Sequence, residues 1–516
     1  MRKITLIIGM VLCTYLVQAQ YSFPLSLEED KDSVMSKEYW DIWNLNVQKK
    51  INEDIEKNRK ADGCITLLDI KDGSEVSIEQ ISHDFVFGAH IFNFNQLGTP
   101  ERNRKYRDVF GSLFNSATIG FYWKTFEMEP NRLRFKEEYW DTEEYWNKVD
   151  EPYKQPHWRR PATDPVVAFC ASKGIRMHGH TLIWGTLGPQ IPKWIIENFV
   201  PDEEKLIINN LRNLNVVRKG ATVKNEFTEL GKKTSADEMA RMLPNYTKIL
   251  KLLFEKRILE ISNYYGDRIQ SWDIVNESAT DYSNGAIIPN SKLCKSHYGF
   301  LPGDYPYNAF QIAQKSFPAN VLLNINDYKS DHFYAEEVSE LLSRNCKVDI
   351  MGSQMHIFDP KQSLEIANGK KQETPDMVYE KMNAISKAGL PIHLSEITIP
   401  SPGKDKRSLM IQAVIAQNLY RLWFSIKPMM GITWWNMVDD CGYAGEPSVS
   451  GLFTRNMEPK PAYYALNNLI NNEWKTNIRT KVNSKGLIKF RGFRGLYRIT
   501  WQDKNGNIQS KNYNLK

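Results

Sequence analysis

Between residues 85 and 437 the chain repeats one pattern eight times: a short apolar run, a polar stretch, and a segment whose apolar residues recur at helical spacing. Candidate strands fall at 85–89, 112–117, 176–184, 269–275, 321–326, 348–355, 391–397 and 431–437. Most lack strict alternation, as expected for strands covered by helices on one side and packed core on the other. Helical spacing is clearest at 202–217, 236–264, 333–344, 375–388 and 408–424. Eight strand-helix units fit a closed (β/α)8 barrel better than an open sheet, which sets the fold class as α/β. Segments 218–235 and 279–303 are long, polar and without periodicity, the character of substrate-binding loops at a barrel mouth.

The chain ends follow a different grammar. Arg2 and Lys3 precede an apolar run over 4–17 and a small-residue site ending at Ala19, which predicts a secretory leader removed after Ala19 and an exported protein, periplasmic, cell-surface or extracellular. Cys13 lacks the small residues that a lipid-anchor site requires before it, and no later stretch is long and apolar enough to span a bilayer. Residues 64–78 predict two short strands joined by a turn at 71–74, and further strands are expected at 487–490, 495–501 and 508–513. A lone hairpin cannot bury an apolar face, so the two ends are expected to meet in one small β unit. The expected organisation is a leader (1–19), an N-terminal extension (20–82), the barrel (83–473) and a C-terminal β extension (474–516).

Charge narrows the function classes. The formal net charge is +6, with Lys and Arg interspersed among Asp and Glu, which describes a solvated surface and not a nucleic-acid footprint. The five cysteines beyond the leader have neither zinc-knuckle nor redox-pair spacing, so buried free thiols are the plain reading. Aromatic residues make up 12% of the chain, which fits either a large core or a cleft paved with rings.

Two strand ends carry acids. In Ser271-Trp-Asp-Ile-Val-Asn-Glu-Ser278 an apolar run delivers Asn276 and Glu277 at its carboxyl end, and Leu390-Pro-Ile-His-Leu-Ser-Glu-Ile397 delivers Glu396 in the same way. That edge of a barrel is where active sites sit. Each acid alone also fits a surface ion pair; together they fit the pair of carboxylates that acetal cleavage needs, one protonating the departing oxygen and one attacking or supporting the anomeric carbon. His178 and His180 share one side of a strand that ends near Trp184, which raises metal ligation beside sugar hydrogen bonding or a core role for His178, but no nearby cysteine or second clearly placed carboxylate completes a metal set. Gln354 and His356 share a side of another strand, where His356 either keeps a carboxylate ionised or is a satisfied core histidine. Trp434 and Trp435 are neighbours in the last strand, so one faces the helices and the other the cleft. Asn324 and Asn326-Asp-Tyr328 add polar groups at another strand end. Metalloprotease, phosphate-loop, nucleophile-elbow and dinucleotide motifs are absent.

From about residue 85 to 470 these segments resemble glycoside hydrolase family 10, mainly retaining endo-β-1,4-xylanases on (β/α)8 barrels. Trp272-Asp-Ile-Val-Asn-Glu277 is similar to the family's acid/base motif, which implies Glu277 as proton donor and Asn276 beside the sugar hydroxyl. Leu394-Ser-Glu-Ile397 is similar to the nucleophile strand, which implies Glu396. By the same resemblance His180 and Trp184 contact sugar at the bond being cut, Asn326, Tyr328, Gln354 and His356 support the nucleophile side, and Trp435 is an aromatic platform. Pro459-Lys-Pro-Ala-Tyr463 resembles a further hallmark. The resemblance implies a polysaccharide or oligosaccharide substrate, water as second substrate, no cofactor and no obligate protein partner. The rival readings are the same mechanism on another β-glucan, hemicellulose or short xyloside, and a non-catalytic glycan-binding barrel.

Departures cluster in the sugar contacts. The family's Glu-Asn pair before Met-Lys-Trp is missing near Gly120, where only Lys124 is retained. Gly185 stands where a histidine is usual, Leu187 where a glutamine is expected, and a second tryptophan after the last strand has Tyr443 as its nearest counterpart.

Overall fold

The computed structural model describes residues 23–185, 190–218, 222–287 and 292–516; the leader, Cys13 and Leu187 lie outside them. Eight parallel strands close in chain order: β1 (Val86–His90), β2 (Ser116–Gly120), β3 (Arg176–His180), β4 (Ser271–Asn276), β5 (Leu322–Asp327), β6 (Ile350–His356), β7 (Ile392–Thr398) and β8 (Met429–Trp434), with β8 returning to β1. Nearly every strand residue is buried on both faces, which is why these segments read as apolar runs and not as alternation.

Several expectations shift in register or type: the strand expected over 176–184 stops at His180, and that expected over 431–437 runs Met429–Trp434. The second strand begins at Ser116 because the helix Pro100–Leu113 runs through the start of the expected one. The helix expected over 202–217 stops at Leu211, and Arg212–Arg218 pairs instead with Thr222–Phe227 as an antiparallel hairpin. The helical stretch expected over 236–264 is two helices, Ala236–Met242 and Pro244–Tyr265; Pro244 lacks an N–H and sits at the first position of the second helix.

The ends do meet, with different pairings from a simple hairpin. Lys60–Thr66 pairs with Leu487–Phe493, while Glu75–His83 lies between Asn477–Lys481 and Gly495–Gln502, and Ile508–Leu515 forms the outer edge. Val76, Ile78, Tyr497 and Ile499 give this unit its own buried cluster. The helix Leu45–Arg59 packs on Lys406–Ser425, which explains why the latter is buried on almost every face despite lying outside the barrel wall. Gln48 donates to Asn418 (2.7 Å), which in turn donates to Tyr39 (2.9 Å). Cys170, Cys294, Cys346 and Cys441 are buried free thiols and Cys64 is an exposed one. Among the described residues no helix is long and apolar enough to cross a membrane.

Candidate active site

At the carboxyl ends of the barrel strands a cleft of about 1160 Å³ opens, floored by Glu277 and Glu396. Glu277 follows β4 directly with a positive φ of 60°, a conformation costly for a residue with a side chain and held here by a bond from its N–H to Asn326 O (2.7 Å). Its carboxylate accepts from Gln354 Nε2 (3.1 Å) and from the Tyr298 hydroxyl. Burial pushes the Glu277 carboxyl up; the Tyr298 bond pulls it down, neighbouring Glu396 pushes it up again and Gln354 opposes, leaving it above the usual carboxylate range.

Glu396 lies in β7 and is almost fully buried. Its Oε1 accepts from Asn326 Nδ2 (2.8 Å) and lies 3.7 Å from His180 Nε2; its Oε2 lies 3.4 Å from His356 Nε2, whose other ring nitrogen meets Thr398 Oγ1 at 2.8 Å. Asn326 therefore ties the two acids together: its backbone oxygen takes the Glu277 N–H, and its amide serves both Glu396 and Asn276 Oδ1 (2.8 Å). Asn326 is itself fully buried and acts through these groups, not through contact with the cleft.

The paired histidines of β3 converge on an acid that sequence reading did not single out. Asp273 Oδ2 meets His178 Nε2 and His180 Nδ1, each at 2.8 Å. Burial opposes a charge on Asp273, yet the two imidazoles hold its carboxyl below the usual range. Burial also opposes a charge on His180, but the Asp273 bond and the carboxylate of Glu396 outweigh it and raise the imidazole above its ordinary value.

Rings line the walls. Trp434 is fully buried, against Tyr420, and Trp435 faces the cleft, edge-on to His180 (5.7 Å) and bonded through Nε1 to Glu446 Oε1 (3.1 Å). Trp184 lies beside Tyr122 (5.9 Å) and Tyr298 (6.1 Å). Tyr328, half exposed, bonds to Thr280 (2.8 Å), and Tyr443 stands at the rim. Lys124 is not among the described residues that line the cleft; its short helix, Trp123–Phe126, follows Tyr122 in the chain.

The sequence model of glycosyl hydrolase family 10 matches residues 79–469. The chain belongs to glycosyl hydrolase family 10. Among its relatives, endo-1,4-β-xylanase A of Thermoanaerobacterium saccharolyticum is 22% identical over 77% of this chain and 31% of its own length. Endo-1,4-β-xylanase B of Neocallimastix patriciarum is 27% identical over 46% of this chain and 26% of its own. The chain spans about a third or less of the length of these first curated relatives. The crystal structure of xylanase 10B from Thermotoga maritima is similar over 76% of this chain and 96% of its own, at 20% identity and a TM-score of 0.48.

In this family 10 member three cleft residues, Tyr298, Arg160 and Glu446, were not singled out by the sequence, and Tyr443 joins them as expected. Tyr298 arrives on the hairpin formed by Leu293–Ser296 and Gly299–Pro302, inside the aperiodic segment after β4. Arg160 comes from the long segment between β2 and β3, while Glu446 and Tyr443 follow β8. The Pro459-Lys460 hallmark braces that last segment: Lys460 Nζ is buried and donates to Asp439 Oδ1 (3.0 Å) and Val449 O (3.1 Å).

Proposed function

We propose that this family 10 protein cleaves β-1,4-xylosidic bonds within xylan or a decorated xylan, with retention, by a double displacement between Glu277 and Glu396. The observation that carries the reading is the shared tether on Asn326, which fixes two strand-end carboxylates of unlike surroundings at one cleft floor. Unlike surroundings are what two glutamates need to take opposite roles. Glu277, raised by burial, holds a proton to give to the departing sugar oxygen. Glu396, facing two histidines and an amide donor, presents its carboxylate to the anomeric carbon as that bond breaks. Once Glu396 is esterified its repulsion of Glu277 ends, so the Glu277 carboxylate binds protons less tightly and suits the second step. There it takes a proton from water, whose oxygen attacks the anomeric carbon and returns Glu396 as carboxylate. The names of the relatives support xylan as substrate.

Asn276, His180, Trp184, Gln354, Tyr328, Trp435 and Tyr443 are assigned to sugar contact by their places around the cleft, and His356 to positioning the Glu396 carboxylate. Export is inferred from the N-terminal pattern alone and is checked by the intact mass of the exported chain. The reaction is tested by sizing products from xylan, mixed-linkage glucan, mannan and cellulose, and by azide rescue. Glu277→Ala with an activated aryl xyloside and azide is expected to give the β-glycosyl azide, and Glu396→Ala the α-azide. The opposite pairing of products reverses the roles, and cleavage of another glucan with xylan intact overturns the substrate.

A further inference from the structure

Gly120, where the family's acidic and amide groups are missing, is the place a cation has entered. A Cβ on Gly120 would fall 3.1 Å from Arg160 Cδ and 3.1 Å from Phe92 Cε1, so the bare glycine is what admits the Arg160 side chain to the cleft wall. The guanidinium lies over Tyr122 (4.0 Å) and Phe92 (4.4 Å). Those rings cluster with Trp435, and Tyr122 lies 5.3 Å from His180, which faces Glu396. Arg160 thus stands one ring away from the cleavage centre. The segment is stitched there by bonds from Arg134 Nη2 to Arg160 O (2.8 Å) and from Arg160 N to His157 O (3.0 Å).

The neighbouring charges do not satisfy it. Glu446 also lines this wall, but its Oε2 takes Arg159 Nη1 (3.1 Å), Asn436 Nδ2 (3.1 Å) and Tyr443 N (2.6 Å), and its Oε1 takes Trp435 Nε1. Arg159 and Glu446 cancel as a pair. Arg160 spends one of its N–H groups, on Arg159 O (2.8 Å), and has no carboxylate within ion-pair distance among the described residues. Burial lowers its proton affinity only to about 10, so it stays charged at neutral pH. A neutral sugar would leave that charge uncompensated, whereas a planar carboxylate matches the guanidinium fork.

We propose that Arg160 is a carboxylate-recognition residue that selects xylan bearing uronic-acid substituents. The proposal rests on the xylan reading above and adds the substituent class to it. Its test compares kcat/KM on glucuronoxylan, on the same polymer after chemical reduction of its carboxyl groups, and on unsubstituted xylo-oligosaccharide. The wild type is expected to prefer the native polymer over the reduced one by about tenfold or more, as a hydrogen-bonded charge pair gives. Arg160→Met is expected to bring that ratio to about one, and Arg160→Lys, which keeps charge without the fork, to an intermediate value. A wild-type ratio near one, or a ratio that survives in Arg160→Met, overturns the proposal. No turnover of any of the three substrates counts instead against the xylan reading. Calorimetric binding of an acidic xylo-oligosaccharide and its carboxyl-reduced form to Glu277→Gln protein then makes the same comparison without turnover, and equal affinities overturn the role of Arg160.

Discussion

Replacing Asp273 with Asn keeps the shape of the β4 side chain and removes its charge, which isolates what the buried acid does for His178 and His180. Asp273 Oδ2 takes both imidazoles, and Oδ1 has no partner among the described residues, so an amide can place its oxygen where Oδ2 was and its NH2 where a group is already unpaired. The geometry of the two bonds survives and their charge assistance does not. A bond to an ionised acceptor is worth about 1.5–3 kcal/mol against about 1 for a neutral one, so Asp273→Asn is expected to cost roughly 2–3 kcal/mol near pH 5.5. The dependence on pH carries the signature. His180 is raised above its unfolded value, so its contribution is complete below about pH 6.5 and is lost as pH rises through the folded value. Asp273 is lowered, so its contribution is complete above about pH 4 and is lost as pH falls through its folded value. The gap between wild type and variant is therefore widest from about pH 4 to 6.5 and narrows by about pH 9 as the His180 share is lost, while the share of the ionised Asp273 acceptor remains. Urea denaturation at pH 5.5 and 9 measures it. A gap below about 1 kcal/mol at pH 5.5, or an equal gap at both, refutes the argument.

Tyr298→Phe removes a donor to the ionised form of Glu277, so the carboxyl rises further and the alkaline limb of the kcat profile moves to higher pH; an unmoved limb shows that the hydroxyl does not reach the acid in solution. In Gly352→Ala the new Cβ would fall 2.3 Å from Asn326 Oδ1, so Asn326 has to turn and release Glu396 and Asn276. A cost of about 1–3 kcal/mol in stability and a drop in kcat of about tenfold or more are expected, read by denaturation and by steady-state rates.

The barrel was legible because strands buried on both faces leave continuous apolar runs, and the acids because a barrel strand gives its last residues a functional address. Strand limits were less so: nothing in 112–117 marks where the helix ends at Leu113 and β2 begins at Ser116. The overrun at 202–217 arose because the residues after Leu211 continue an apolar-polar mix that helix and strand share, and tertiary pairing with Thr222–Phe227 decides between them. Asp273 was in view within the motif, and its signal was an acid inside an apolar strand next in the barrel to the two histidines; only the register that puts His178 opposite Ser271 makes it explicit. Tyr298 and Arg160 had a signal only at the level of their loops, 279–303 reading as a substrate-binding segment, and nothing marked the individual residues. Both sit in segments without periodicity, where depth in the fold is set by contacts distant in sequence.

Those two residues share a logic that links loss and gain. Gly120 stands where family contacts are missing and Arg160 fills the space; Gly185 stands where a histidine is usual, and a Cβ there would fall 2.2 Å from Leu301 Cδ1. Leu301 belongs to the hairpin that carries Tyr298 onto Glu277 and against Trp184. The bare backbone at Gly185 is thus the condition for that hairpin's approach. Gly185→His is expected to lift the hairpin and withdraw Tyr298, so it moves the alkaline limb of kcat in the same direction as Tyr298→Phe. The two changes should not add, because once the hairpin is displaced the hydroxyl has no bond left to lose. Shifts that sum in the double variant would mean that Tyr298 reaches Glu277 without the hairpin resting on Gly185, and that the missing histidine and the tyrosine on the hairpin are unrelated.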